Sequence, residues 1–333
     1  MHAKNKGFAI VLAWPDTFCK QAGGWYDPIL SFLGICQNHY YRVGHAAVVL
    51  VNGYYGGLQY FDFGRYHAPF GHGRVRSELT DPELKMNQRA ILAGGLITNL
   101  KEILEELQNR IACHGEGDLY ASVIRINHGN SLKKAFEFQE NSPIQYGPFV
   151  WNGSNCSRFV NDVVRAGQSS IINWLKLQFP WTLSPTPIGN VRIFKSVIKI
   201  PGNRPKVPIP QSNLQTVLPT PNRHVAIPIG AKWISGEGAG SWFHFNRMAE
   251  IFIVRRYSPE GDLEFSGVYE VIGDSYFFPE SPFDLNYLSH YKQINLVQAG
   301  KAIRMSLLTI RPQAKFRVMG LSDIIDNLQL ISN

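Results

Sequence analysis

The chain has 333 residues, 44% of them hydrophobic, 12% aromatic and 17% charged, with a formal net charge of +8. Such a composition supports a buried core and excludes a disordered chain, and the length suggests two domains. No run approaches the ~20 apolar residues that span a bilayer, and no basic block accounts for the charge, whose closest clusters are pairs such as Lys133-Lys134 and Arg255-Arg256.

In chain order, Lys4 and Lys6 before Phe8–Trp14 imitate a short signal peptide. The run ends at Trp14-Pro15-Asp16 with no small-x-small cleavage site, so it reads as a buried first strand, and a soluble, cytoplasmic protein is expected. Tyr26–Leu33 reads as a short helix, and Ala46–Val51 and Leu58–Phe63 as apolar strands. Thr98–Arg110 is the clearest helix, with Leu100, Ile103, Leu104 and Leu107 on one face. Leu119–Ile126 is predicted as a strand, Ser131–Gln139 and Asn155–Ala166 as helices, and Val191–Ile200 as one more strand. The fold class expected from this mixture is α+β, with helices packed on a sheet.

Half of the 20 prolines fall between Pro180 and Pro228, which marks an extended linker and places a boundary near residues 201–222. The expected division is 1–200, a Pro-rich linker over 201–222, and a mostly β C-terminal domain over 223–333. In the last part Trp242–Arg256 and Asp262–Val271 are rich in strand formers, and Ser258-Pro-Glu-Gly261 carries hairpin chemistry. Its Trp242, Phe243, Phe245, Phe252 and Phe265 are expected in the core, and Asp323–Leu330 as a closing helix. From Val163 to Gly236 there is no Asp or Glu, against nine Lys and Arg. That asymmetry is either a surface for an anionic partner or a solvated, partly extended connector; the connector is preferred, and no nucleic acid is expected.

Four cysteines, Cys19, Cys36, Cys113 and Cys156, show no C-x-x-C spacing, so no zinc or redox motif is read, and no cofactor or metal is expected. Cys156 sits in Trp151-Asn-Gly-Ser-Asn-Cys156-Ser-Arg-Phe-Val160. Ser154 and Asn155 supply the N-cap signal and Gly167 the stop. Cys156 continues the stripe of Phe159, Val160, Val163 and Val164, so it points inward at a helix N-terminus, where partial positive charge favours a thiolate. A lone cysteine on an apolar stripe is also what a space-filling core residue looks like.

A nucleophilic thiol needs a base, and the base an orienter. Of ten histidines, His2 is terminal, His114 and His128 lie in Gly-containing turns, and His224, His244 and His290 lie beyond the boundary. His39, His45, His67 and His72 remain. His45 follows Gly44 and opens a central strand. If that strand and Leu58–Phe63 form a hairpin, Asp62 falls within a residue or two of facing His45 and can hold its tautomer. Arg65, Tyr66, His67 and His72 are candidates for shaping a groove, or simply a polar loop. A core histidine at 45 and a turn-capping Asp62 are the plain alternatives.

Gly44-His45-Ala-Ala-Val-Val-Leu-Val51, followed much later by Asn155-Cys156-Ser-Arg-Phe-Val160, resembles the circularly permuted papain-like cysteine hydrolases and acyltransferases. These are relatives of bacterial cell-wall amidases and of the lecithin–retinol acyltransferase group. The whole chain also looks similar to an uncharacterised bacterial family of this kind with a small C-terminal domain. The resemblance covers roughly Phe8–Ile200 and implies Cys156 as nucleophile, His45 as base and Asp62 as the third polar residue. The implied function is a cysteine peptidase or amidase acting on a peptide-like or acyl substrate through a thioester. The lipid acyltransferases have Glu-His after their Cys, where Ser157-Arg158 stands here, so no lipid substrate is carried over. The alternatives are a non-catalytic binding module on the same scaffold and a lipid-directed thiol acyltransferase.

Overall fold

A computed structural model describes residues 6–34, 36–113, 115–194, 196–202, 219–236, 240–285 and 292–310. Most of the Pro-rich linker, the helix expected over Asp323–Leu330, and His2, His114 and His290 lie outside these residues. The fold is α+β: a mixed helix and sheet body followed by a separate C-terminal β domain.

The body is built on a seven-stranded sheet. Its strands are β1 (Lys6–Trp14), β2 (His45–Asn52), β3 (Leu58–Gly64), β4 (His72–Arg76), β5 (Leu119–Asn127), β6 (Ile144–Gln145) and β7 (Val197–Ile200), in the order β6-β4-β3-β2-β1-β5-β7. The neighbours pair antiparallel. Continuous apolar runs in β1 and β2 follow from burial on both faces. Ala9, Val11, Ala13, Ala46, Val48 and Leu50 face one core; Ile10, Leu12, Trp14, Ala47, Val49 and Val51 face the other.

On the first face pack α3 (His128–Glu140), α4 (Cys156–Ala166), α5 (Ile171–Gln178) and α6 (Pro187–Arg192), through residues such as Ala135, Phe159, Val160, Leu177 and Val191. On the second face α2 (Leu100–Asn109) buries Ile103, Leu104 and Leu107, the stripe the sequence predicts. The short helix near Tyr26 is α1 (Asp27–Phe32).

Three expectations need correction. Val191–Ile200 is not one strand. Thr186 caps α6 through its hydroxyl on the Gly189 N–H at 3.1 Å, Pro187 opens the helix, and Val191 and Arg192 are its last turn. Only Val197–Ile200 pairs with β5. Second, the acid-free stretch is not a connector up to residue 200: it forms the end of α4 and then α5, α6 and β7, and puts Leu177 and Val191 into the core. Third, Gly167 ends α4 with φ −91°, so the left-handed cap is not its reason. A Cβ there would lie 2.2 Å from Ser131 Oγ and 2.9 Å from Asn127 O, so the close approach of α4 to the start of α3 requires glycine.

The C-terminal domain is a second seven-stranded antiparallel sheet. Its strands are β8 (Lys232–Ile234), β9 (Ser241–Met248), β10 (Ile251–Tyr257), β11 (Leu263–Val271), β12 (Asp284–Leu285), β13 (Gln293–Gln298) and β14 (Lys301–Ile310), in the order β8-β9-β10-β11-β14-β13-β12. The Ser258-Pro-Glu-Gly261 hairpin joins β10 to β11, closed by the Ser258 N–H on Asp262 O at 2.8 Å. Trp242, Phe245, Phe252 and Phe265 are buried as expected.

The two sheets meet through buried polar groups. Arg74 of β4 grips Asp81 with two hydrogen bonds of 2.7 and 2.8 Å, and Arg256 of β10 ion-pairs with the same carboxylate at 3.2 Å. Arg74 also donates to His67 Nδ1 at 2.9 Å. The remaining ring N–H of His67 then donates to Ser241 Oγ at 2.9 Å, and that hydroxyl donates to Glu264 at 2.7 Å. Burial, with Arg74 and Arg256 nearby, holds His67 well below the usual imidazole range, so it stays neutral.

Candidate functional site

Gly44 sets the approach to the site. It has φ +80°, and a Cβ would lie 2.9 Å from Trp14 O and from Pro15 Cα, so only glycine turns the chain so tightly beside β1 into β2. His45 follows as the first residue of β2, opposite Trp14 of β1. The Trp14 indole stacks on the imidazole with centroids 6.0 Å apart, and is itself pinned by donating to Gln108 Oε1 of α2 at 2.8 Å.

Asp62 on β3 pairs with Ala47, two residues along from His45 on the same face. The expected offset of a residue or two is therefore observed. Asp62 Oδ2 lies 3.4 Å from His45 Nε2, a long contact, and accepts the Tyr60 hydroxyl at 3.0 Å. Its main partner is Arg76 on β4, the residue directly opposite, which donates from Nε at 3.0 Å and from Nη2 at 2.5 Å. Arg76 also donates to Ala112 O at 3.0 Å, and its guanidinium lies 3.8 Å from the centre of the Tyr66 ring. Asp62 is fully buried and Arg76 nearly so.

Cys156 is the first residue of α4. Asn155 is the N-cap, its side chain accepting from the Arg158 N–H at 2.8 Å. Ser154, the other candidate cap, turns its hydroxyl to Asn155 O instead. The first turn of a helix has backbone N–H groups without intrahelical partners, and that end carries partial positive charge. Replacing Asn155 with Ala should cost about 0.5–2 kcal/mol of stability in chemical denaturation, and raise the pH at which Cys156 alkylates.

The three elements converge where β2 begins. This is the end of a central strand and not the side edge of the sheet, because β1 and β3 flank β2. Cys156 is 6% exposed, and its side chain meets the His45 imidazole. Burial opposes the positive charge on His45, but hydrogen bonds to Asp62 and Cys156 outweigh it and hold the imidazole up at about 9. Burial likewise pushes the Cys156 thiol up, and His45, together with the Ala46 backbone N–H, more than reverses it, so the thiol lies below its usual range. His45 thus rises and Cys156 falls, each favouring the charged form of the other. Asp62 is also pushed up by burial, and Arg76 and His45 pull it below the usual carboxylate range.

Of the four histidines left open by the sequence, His45 alone among the described residues makes this contact. His39 sits 3.2 Å from Gln21 Oε1, His67 is locked between the sheets, and His72 Nδ1 faces Phe70 O at 3.1 Å. Three of the four groove candidates turn inward. Arg65 donates to Gln21 O at 2.9 Å and to Lys20 O, Tyr66 backs Arg76, and His67 is internal; His72 stays half-buried. The sequence reading missed Arg76, Trp14 and Tyr60. The alternation of Arg74 and Arg76 around Val75 was the available sign of a strand that could face a buried Asp with a cation. Among the described residues no group of three or more His, Cys, Asp or Glu could hold a metal ion. All four cysteines are free.

A helix-capped thiol, an imidazole, a carboxylate and a guanidinium thus form one buried series from α4 through β2 and β3 to β4. Residues 9–171 match the family described as type VI secretion system effector TseH-like, and residues 231–308 match the DUF6695 C-terminal domain. Among solved structures the chain is similar to the crystal structure of the type VI secretion system effector TseH. The identity is 23%, the TM-score 0.37, and the match covers 57% of this chain and 88% of that one. No curated protein matches the chain.

Proposed function

We propose that the protein is a cysteine-dependent hydrolase, a peptidase or amidase, that opens an amide or ester bond through Cys156, His45 and Asp62 on a permuted papain-like scaffold. The observation that carries this reading is the Cys156–His45 pair at the start of α4, with Asp62 behind the imidazole. The match of residues 9–171 to the TseH-like effectors supports a hydrolase of the effector type.

In the proposed reaction the Cys156 thiolate attacks the substrate carbonyl carbon. The oxyanion is met by the backbone N–H of Cys156. As the tetrahedral intermediate collapses, protonated His45 gives its proton to the leaving amine or alcohol, and a thioester remains on the sulfur. Neutral His45 then takes a proton from water, the hydroxide adds to the thioester carbonyl, and the acid leaves as the thiolate and imidazolium reform. Asp62 holds the imidazole in orientation and stays ionised throughout, because Arg76 neutralises it.

Iodoacetamide tests the reading. Cys156 should alkylate near pH 6 much faster than Cys19, Cys36 and Cys113, and burial pushes the Cys113 thiol up to about 12. A thioester should then accumulate on Cys156 from a pool of peptide amides or esters. Alkylation of Cys156 no faster than the other three would remove the activated thiol and the proposal with it.

A further inference from the structure

Helix α5 and the segment after it carry a concentrated apolar surface that the body does not use. On α5, Ile171 and Leu175 stand four residues apart on one face, and Phe179 follows directly as the C-cap. Ile172 and Trp174 flank them, and Trp181 and Leu183 continue the patch beyond the helix. Phe179 is 69% exposed, Leu183 95%, and Trp181 extends fully into solvent. Leu177, on the opposite side of α5, is buried and anchors the helix to the core, so the exposed side chains sit on a fixed base. Large apolar side chains this dense are rarely left bare on a soluble protein.

The charges of the chain segment that carries the patch are of one sign. No Asp or Glu occurs between Asp162 and Glu237, while Arg165, Lys176, Arg192, Lys195 and Lys199 fall between Val163 and Ile200. Arg165 is partly neutralised by Asp162 and Lys199 by Asp118. Lys176 stands exposed on α5 itself, and Arg192 is exposed at the end of α6. We infer that this face docks on an anionic lipid bilayer. Ile171, Ile172, Leu175, Phe179, Trp181 and Leu183 enter the headgroup and acyl boundary, and the surrounding cations meet the lipid phosphates. Tryptophan and phenylalanine beside a lysine, on and just after a short helix too small to span, are the residues that lie in such an interface. A symmetric pairing of two copies through the same face would set each Lys176 near its counterpart, so the charge pattern disfavours a dimer. No helix among the described residues is long and apolar enough to cross a membrane, so the contact is with one surface.

The full chain is to be sedimented with vesicles of phosphatidylcholine alone and of phosphatidylcholine mixed with phosphatidylglycerol, at low and high salt. Binding to the mixed vesicles is expected, weaker in high salt and weaker still to phosphatidylcholine alone. The triple variant Phe179→Ser/Trp181→Ser/Leu183→Ser should lose at least about a hundredfold in partitioning, since three large apolar side chains no longer leave water. Lys176→Glu should weaken binding to the anionic vesicles selectively. All these positions are exposed and away from the thiol, so Cys156 alkylation should be unchanged in each variant, which separates this inference from the hydrolase reading. It is overturned if the wild-type chain stays in solution with anionic vesicles, if the triple variant binds them equally well, or if sedimentation velocity shows instead a dimer that the triple variant dissolves.

Discussion

Replacing His45 with Ala should slow the alkylation of Cys156 at pH 6 by about a hundredfold and abolish the plateau of reactivity below neutrality. In the wild type the imidazole, held up at about 9, lowers the Cys156 thiol from its ordinary value of 9.0, so the sulfur ionises at lower pH. Without it, burial alone acts on Cys156 and pushes it upward. A thiol of ordinary acidity is ionised to only about one part in a thousand at three units below its pKa. A more basic thiolate is the stronger nucleophile, which returns about one to one and a half powers of ten, so the net loss is near a hundredfold. The deficit should shrink as pH rises past about 9, where the wild-type imidazole loses its proton, and vanish only above the variant's own raised thiol value. Turnover of any acyl substrate should fall by about 10²–10⁴-fold, since the base of one half-reaction is the acid of the other. A flat ratio between variant and wild type across the pH range would show that His45 does not govern the sulfur.

How far this site could be read from the sequence differs from residue to residue. Cys156 and His45 were legible because each sits at a punctuation mark: Asn155 before the helix, Gly44 before the strand. Asp62 was legible because two apolar runs joined by Asn52-Gly-Tyr-Tyr-Gly-Gly57 fold back on each other, and a hairpin limits which residues can face. Arg76 was not legible. Its strand β4 has only five residues, His72-Gly-Arg-Val-Arg76, whose polar composition imitates a loop, and tertiary pairing with β3 decides its structure. The sequence marks Trp14 as the end of a core strand, but its place over the imidazole follows from the β1–β2 register, which a sequence does not state. The helices α5 and α6 were lost among the surrounding prolines, although Thr186-Pro187 is an N-terminal signal in its own right. The C-terminal strands β13 and β14 were also missed. Both alternate, with Ile294 and Leu296 buried in β13 and Ile303 and Met305 in β14, which is the pattern of a half-buried strand.

Replacing Arg76 with Met should cost about 3–5 kcal/mol in urea denaturation at pH 7, the largest single stability effect we expect, because it leaves the Asp62 charge buried without its main partner. Methionine keeps much of the volume under Tyr66, so the loss is electrostatic more than steric. The pH dependence gives the sign. In the wild type Asp62 lies below its ordinary 3.8, so its contribution is full above that value and is lost as pH falls through the native one. In the variant burial dominates and the Asp62 carboxyl rises above 3.8, so the folded state binds the extra proton and stability is lost as pH rises. The deficit of Arg76→Met should therefore be smaller at pH 4.5 than at pH 7. Adding Asp62→Asn to Arg76→Met should recover much of the stability at pH 7, since no buried charge remains. It should not recover the wild-type pH profile of Cys156 alkylation, because the charge that raises His45 has gone. If the double variant regains both stability and the low-pH reactivity, Asp62 and Arg76 are merely a buried ion pair of the sheet, and the imidazole is oriented by something else.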